Sequence, residues 1–175
     1  MSFNTEQHPG VCEDVPPAAQ GMRLNHSMLR VKDPERALSF YTRVFGMRVI
    51  RKLDFEQFSF TLYFLACPMD IGPAPRDEGE RTNWLFSQSA LLELTHNWGT
   101  EKEPGFHYHN GNDEPQGFGH ICISVEDMDR AVSWFDENNV EFVKRPDEGG
   151  MKGIAFIKDP DGYWIEIVER GNMTL

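Results

Sequence analysis

The sequence predicts an α+β fold built from two tandem βαβββ modules. Three observations predict it. Laying His120 on His26, a shift of 94 residues, matches the chain to itself without a gap: Val31 meets Val125, Asp33 meets Asp127, Arg36 meets Arg130, Ala37 meets Ala131 and Ser39 meets Ser133. The apolar positions between them also correspond, Leu38 with Val132, Phe40 with Trp134 and Tyr41 with Phe135. Near the end of each half, Leu92–Glu93–Leu94–Thr95 matches Ile165–Glu166–Ile167–Val168. An internal repeat of this kind fixes the architecture before any single element is assigned.

In chain order, residues 1–21 carry Pro9, Pro16 and Pro17 and read as an arm with no core of its own. The domain runs over 22–171, with modules at about 22–98 and 117–170 joined by the loop 99–116. Leu24 to Val31 alternates as a strand, with Ser27, Leu29 and Val31 on one face and His26, Met28 and Arg30 on the other. Asp33 caps a helix that Pro34 enters. Ala37, Leu38, Tyr41, Val44 and Phe45 form its apolar stripe, and Gly46 ends it. Met47–Lys52, Phe58–Ala66 and Trp84–Thr95 read as strands, and Pro68–Arg81 as a loop whose Asp77–Glu78–Gly79–Glu80 run is solvated. The second half repeats the pattern. Gly119–Val125 is a strand, Asp127 a cap, and Ala131, Val132, Trp134 and Phe135 a stripe; Glu141–Lys144, Ile154–Lys158 and Tyr163–Glu169 are further strands. Pro160 and Asp161–Gly162 make the turn into the last of these. Alternation then puts Tyr163, Ile165 and Ile167 on one face and Trp164, Glu166 and Val168 on the other.

Hydrophobic residues make up 39% of the chain, enough for a core, and the net charge of −11 argues against binding a nucleic-acid backbone. It leaves a small anionic substrate open, because one local cationic cluster can reverse the field. Cys12, Cys67 and Cys122 are odd in number and lack a CxxC spacing, which points to a reducing compartment without a disulfide framework. No apolar run in the arm suggests a signal peptide or a membrane span, so a cytoplasmic protein is expected.

A carboxylate between Trp164 and Val168 on a strand face is costly unless something positive meets it. The repeat supplies a reason for Glu166. Each module carries one histidine on its first strand and one glutamate on its last, and in a βαβββ module those strands can be neighbours. Two modules facing each other would bring His26, Glu93, His120 and Glu166 together. Two imidazoles and two carboxylates suit a borderline divalent cation and leave room for water or substrate. A lone strand histidine or glutamate is ordinarily a packing or solvated residue, but four in matched places are harder to explain separately.

His26–Phe45, Leu91 with Glu93–Gly99, Gly117–Ile121 and Asp159–Glu166 closely resemble the glyoxalase I (lactoylglutathione lyase) family of the vicinal oxygen chelate superfamily. The Thr95–Gly99 and Asp159–Trp164 runs are the most specific. The resemblance implies that superfamily's fold, paired across a homodimer with sites at the interface, where His26 and Glu93 come from one chain and His120 and Glu166 from the other. It implies isomerisation of the methylglyoxal–glutathione hemithioacetal to S-lactoylglutathione, with Glu166 as the catalytic base and Glu93 as its symmetric counterpart. It implies one divalent metal, Zn2+ first because the two long loops match the longer form, with Ni2+ the alternative. His26 stands where the long zinc forms often carry Gln, and the His/Glu/His/Glu set also occurs in nickel enzymes. Glutathione is the implied co-substrate, with Arg30 and Asn97 at its γ-glutamyl end and Lys144 and the Gly150–Met151 loop at the other. Gln116 replaces the family's arginine for the glycyl carboxylate, which would either weaken glutathione binding or pass that task to Lys144, Arg145 or Lys152. Phe55, Phe58, Phe60, Leu62, Phe64 and Met151 are the expected walls of the methyl pocket. The remaining candidates read as structural: His107 and His109 as loop residues, His96 as a strand-end hydrogen-bonding group and Cys122 as packing. An extradiol-type dioxygenase and a metal-free ligand-binding protein of the same fold are the alternatives.

Overall fold

A computed structural model describes residues 9–11, 14 and 16–171. Most of the expected arm, with His8 and Cys12, lies outside the described residues. β1 (His26–Val31) buries Leu29 and Val31. In α1 (Pro34–Val44) the Asp33 carboxylate accepts from the Glu35 and Arg36 amides, Pro34 sits in the first turn, and Ala37, Tyr41 and Val44 are buried. β2 (Arg48–Phe55) and β3 (Phe60–Ala66) follow, then α2 (Glu78–Ser87) and β4 (Leu91–Asn97). The second half gives β5 (His120–Val125), α3 (Met128–Glu137), β6 (Phe142–Lys144), β7 (Ile154–Lys158) and β8 (Trp164–Glu169). Asp127 caps α3 as Asp33 caps α1, accepting from the Arg130 amide.

The strands form two four-stranded mixed sheets of equivalent order, β1-β4-β3-β2 and β5-β8-β7-β6. In each, the first and last strands of the half pair in parallel and the other pairs are antiparallel. The helix-facing sides share one core, in which Leu29, Val31, Tyr41 and Leu94 join Phe135, Ile157, Ile165 and Ile167. The Trp134 indole also donates to the Val44 carbonyl at 2.9 Å, and the Lys32 amide to Asp161 Oδ1 at 2.8 Å. The two halves are therefore locked together on the side away from the charged pairs.

One stretch departs from the sequence reading. Pro68–Arg81 was expected as a loop and Trp84–Thr95 as a strand. Instead Asp77 accepts from the Glu80 amide at 2.9 Å and starts α2, and β4 begins only at Leu91. The Asp77–Glu80 run is solvent-exposed as expected, but it is the helix cap and first turn and not a loop. Leu85, fully buried against Phe64, Ala66 and Leu91, anchors the helix on the first sheet.

The turn into β8 is built on Asp159. Its Oδ1 accepts from the Asp161 and Tyr163 amides, both at 2.9 Å, while the Tyr41 hydroxyl of α1 donates to Oδ2 at 2.8 Å. The Gly162 amide closes the turn on the Asp159 carbonyl, and Gly162 takes φ +86°, where other residues are strained. Burial, more than the neighbouring Asp161 charge, pushes the Asp159 carboxyl up to about 7 despite these hydrogen bonds.

A carboxyl raised in the folded state holds its proton where the unfolded chain has lost it. Between the unfolded value near ~4 and the folded value of about 7, stability therefore falls as pH rises, by up to about 1.4 kcal/mol per pH unit, and it levels off above that window. Urea midpoints measured from pH 4 to 8 should show this descent in the wild type. Asp159→Asn, which keeps the Oδ1 acceptor and can donate to Tyr41, should lose that component; an unchanged slope would contradict the assignment.

Candidate metal centre

Parallel pairing places each histidine beside its glutamate. In β1–β4, His26 is opposite Leu91 and Met28 opposite Glu93; in β5–β8, His120 is opposite Trp164 and Cys122 opposite Glu166. Each glutamate thus lies two residues along from its histidine's partner, on the same sheet face. His26 Nε2 is 3.1 Å from Glu93 Oε2, and His120 Nε2 is 3.3 Å from Glu166 Oε2. An aromatic edge backs each imidazole: Phe64 lies 5.4 Å from His26 and Phe156 lies 5.3 Å from His120, both T-shaped. Phe64 and Phe156 are the ladder partners of Glu93 and Glu166, so the two half-sites repeat down to their apolar backing.

The donors fit a divalent cation. His26 Nδ1 is 2.7 Å from Asn25 Oδ1, which places a proton on Nδ1 and leaves the Nε2 lone pair for a metal. Each pair supplies one imidazole nitrogen and one carboxylate. Among the described residues no group of three or more His, Cys, Asp or Glu side chains that could hold a metal forms within one chain. The four residues therefore stand as two separate pairs, not as a quartet.

The same ladder places Arg30 and Asn97. Arg30 is opposite Thr95, so Asn97 stands to Arg30 as Glu93 stands to His26. Arg30 is exposed and lines a cavity of about 280 Å³ with Met28, Tyr108, Phe118 and Tyr163. Asn97 Nδ2 donates to the Tyr108 hydroxyl at 2.9 Å. The larger cavity, about 730 Å³, lies between α1 and the segment Asn138–Glu141 and includes none of the four metal candidates. Open sheet faces make poor cavities until something covers them, so cavity size does not locate this centre.

Lys144 is already engaged: its Nζ donates to the carbonyls of Arg145, Met151 and Ile154 at 3.2, 2.7 and 2.6 Å. It shapes the loop that carries Gly150 and Met151, both exposed. Gln116 is exposed in the segment before β5. His96 bonds Glu101 Oε2 at 2.8 Å, as expected of a strand-end group. His107 lies 3.2 Å from the Gly105 carbonyl and His109 accepts the Gly111 amide, so both serve their loop. Cys122 is a correction. It is exposed, not packed, and its thiol hydrogen-bonds Glu166; desolvation first, then that bond and charge, push it up to about 11, so it stays protonated.

A family model described as the Glyoxalase/Bleomycin resistance protein/Dioxygenase superfamily matches residues 23–167. A lactoylglutathione lyase of Pseudomonas aeruginosa is 54% identical over 170 residues, covering 97% of this chain and 94% of that protein. The chain belongs to the lactoylglutathione lyase family. A glyoxalase I of Saccharomyces cerevisiae is 44% identical over 91% of this chain, which spans 47% of that longer protein. Among solved structures, the Leishmania major glyoxalase I, described as trypanothione-dependent, superposes with a TM-score of 0.63 at 34% identity, covering 85% of this chain and 86% of that one. The glyoxalase I of Zea mays does so at 0.61 and 31%, covering 86% and 46%. This kinship accords with the two mixed sheets and their matched half-sites.

Sequence reasoning passed over Gly111. At φ +92° it lies against the Phe118 backbone, and a Cβ there would fall 1.9 Å from the Phe118 carbonyl oxygen. The loop crosses itself at this point, two residues before His120. The signal was a glycine flanked by Asn110 and Asn112, whose amides bond Asp113 and the Gly119 carbonyl. Gly111→Ala should cost at least about 1–2 kcal/mol from the left-handed backbone alone, a loss of roughly 2–8 °C in melting temperature. Calorimetry would check this, and an unchanged melting temperature would show that the loop does not need the crossing.

Proposed function

We propose that this chain is a metal-dependent lactoylglutathione lyase, which isomerises the hemithioacetal of methylglyoxal and glutathione to S-lactoylglutathione and so detoxifies methylglyoxal. The observation that carries the reading is the repeated His–Glu pair, in a chain 54% identical to a lactoylglutathione lyase. The named relatives favour it over an extradiol dioxygenase or a metal-free binding protein. The catalytic unit spans 22–171. Two chains form a homodimer in which His26 and Glu93 of one face His120 and Glu166 of the other across a shared divalent ion, Zn2+ or alternatively Ni2+. Supporting this, each pair has only two donors, the side chains of His26 and His120 remain 29% and 40% exposed, and Met28 and Phe118 beside them are exposed apolar groups.

A divalent cation held by His26, Glu93, His120 and Glu166 would supply Lewis acidity that stabilises negative charge developing on the substrate. Glu166 removes the proton from the carbon bearing the thioether and returns it to the neighbouring carbon, while the hydroxyl proton passes from the first carbon's oxygen to its neighbour's, leaving a thioester carbonyl and a new hydroxyl. Glu93 is the counterpart on the opposite side and serves the other stereoisomer. Arg30 and Asn97 hold the γ-glutamyl end; at ~3.3 Å per residue Arg30 lies ~13 Å along the strand from His26, a span that suits a tripeptide with its sulfur at the metal. For the glycyl carboxylate, Lys144 is spent on backbone carbonyls and Arg145 is paired with Asp136 at 2.6 Å. Lys152, exposed beside Met151, takes that role in place of the arginine that Gln116 replaces. Two unpaired thiols, Cys67 and Cys122, support a reducing, cytoplasmic setting. Among the described residues no helix is long and apolar enough to cross a membrane.

Protein stripped of metal and refilled with Zn2+, Ni2+ or Co2+ should form thioester from methylglyoxal and glutathione, followed by its absorbance; no thioester with any metal would end the proposal. Glu166→Gln should keep fold and dimer and lose nearly all turnover. Glu93→Gln and Glu166→Gln chains tested alone should be poor enzymes, whereas co-refolded they should regain about a quarter of wild-type activity, because half the dimers are mixed and each carries one intact site. No regain would place each site within a single chain.

A further inference from the structure

The two His–Glu pairs share one geometry but are not held alike. In the first pair the atoms that do not face the metal are tied down. Asn25 Oδ1 lies 2.7 Å from His26 Nδ1, and Asn25 Nδ2 donates to the carbonyls of Leu85 at 3.0 Å and Gln88 at 2.9 Å. The Asn25 carbonyl accepts from the Leu91 amide, so this asparagine is fixed at four points between α2 and β4. The Thr95 hydroxyl donates to Glu93 Oε1 at 3.0 Å, a buried contact that leaves Oε2 for the metal.

In the second pair both anchors are missing. The 94-residue shift that lays His120 on His26 puts Gly119 where Asn25 stands, and the β4–β8 match puts Val168 where Thr95 stands. Neither side chain can hydrogen-bond. Besides His120, Glu166 is met by the Cys122 thiol, a weak donor. The side chain of Glu166 is 21% exposed, against 11% for Glu93.

We infer that Asn25 and Thr95 are positioning residues that make His26–Glu93 the rigid half of the metal centre, and that Gly119 and Val168 leave Glu166 free to move between metal and substrate. The inference rests on the proposed function for its catalytic part only. Outer-shell groups of this kind orient ligands, and losing one typically weakens metal binding about 10–100-fold.

Two nearly isosteric substitutions separate the halves. Thr95→Val removes the donor to Glu93. Zn2+ affinity, measured without substrate by competition with a chromophoric chelator, should fall about tenfold or more, and Thr95→Ser should restore it. Val168→Thr gives Glu166 the hydroxyl that Glu93 has. Zn2+ affinity should hold or tighten while kcat falls about tenfold and KM stays near the wild-type value, the mark of a base held back and not of a damaged pocket. The visible spectrum of the Co2+-loaded protein should change in Thr95→Val and return in Thr95→Ser. Unchanged Zn2+ affinity in Thr95→Val, or unchanged kcat in Val168→Thr, would overturn the inference. Wild-type protein that makes no thioester would instead defeat the proposed function, and the affinity measurements on the first pair would still be read.

Discussion

A parallel ladder between the first and last strand of each half is the constraint on which the rest depends. A parallel pair cannot be closed by a tight turn, so the chain must leave through a helix and two further strands before it returns. That detour puts β4 and β8 inside their sheets and leaves β1 and β5 at the edges. The glutamates therefore sit on interior strands and the histidines on exposed ones. The difference shows in the side chains, at 11% and 21% exposed for Glu93 and Glu166 against 29% and 40% for His26 and His120. A charged group on an interior strand is costly without a partner, and the edge histidine brings a ring nitrogen to within 3.1 or 3.3 Å of it, so that a cation between the two would offset the cost.

The same ladder orders the face beyond the metal candidates. Pairing each β1 residue with the β4 residue two places past its ladder partner gives His26 with Glu93, Met28 with Thr95 and Arg30 with Asn97. The same step from β5 to β8 gives His120 with Glu166 and Cys122 with Val168, and Arg170, just past β8, reaches the Ser124 hydroxyl at 3.4 Å. The His–Glu pairs are the same in the two halves and those above them differ. One step along, Met28 and the Thr95 hydroxyl in the first half stand against the Cys122 thiol and the aliphatic Val168 in the second; two steps along, Arg30 and Asn97 stand against Ser124 and Arg170. Duplication thus accounts for the matched positions of the two His–Glu pairs, while divergence one and two steps along the ladder made the halves unlike.

The repeat made most of this legible in the sequence, because a shared shift ties residues that no local pattern would connect. His26, Glu93, His120 and Glu166 follow from it, as do the matched caps Asp33 and Asp127. α2 was lost because Trp84–Leu85–Phe86 is a short apolar run that fits a strand as well as a helix, and only Leu85 is deeply buried. The spacing of Asp77 and Glu80 was the available cue to its start. Cys122 was misread because strand alternation gives the face of a residue and not what covers that face. Lys144 looked like a free cation because its carbonyl partners come from a loop, whose path leaves little trace in the sequence.

The separation of the two pairs also bears on assembly. Bringing both to one centre, as proposed, sets two carboxylates against each other at close range. Without a cation, one must take up a proton or the pairs must part, since like charges at such distances are not tolerated together. A divalent ion changes the sign of that interaction. Metal binding and chain association are then linked: a ligand that binds only the paired state stabilises it in proportion to how far its concentration exceeds its dissociation constant. In such a pairing the exposed apolar groups beside the site, Met28 and Phe118, would favour association on their own account, and the opposed carboxylates would hold it back until the ion arrives.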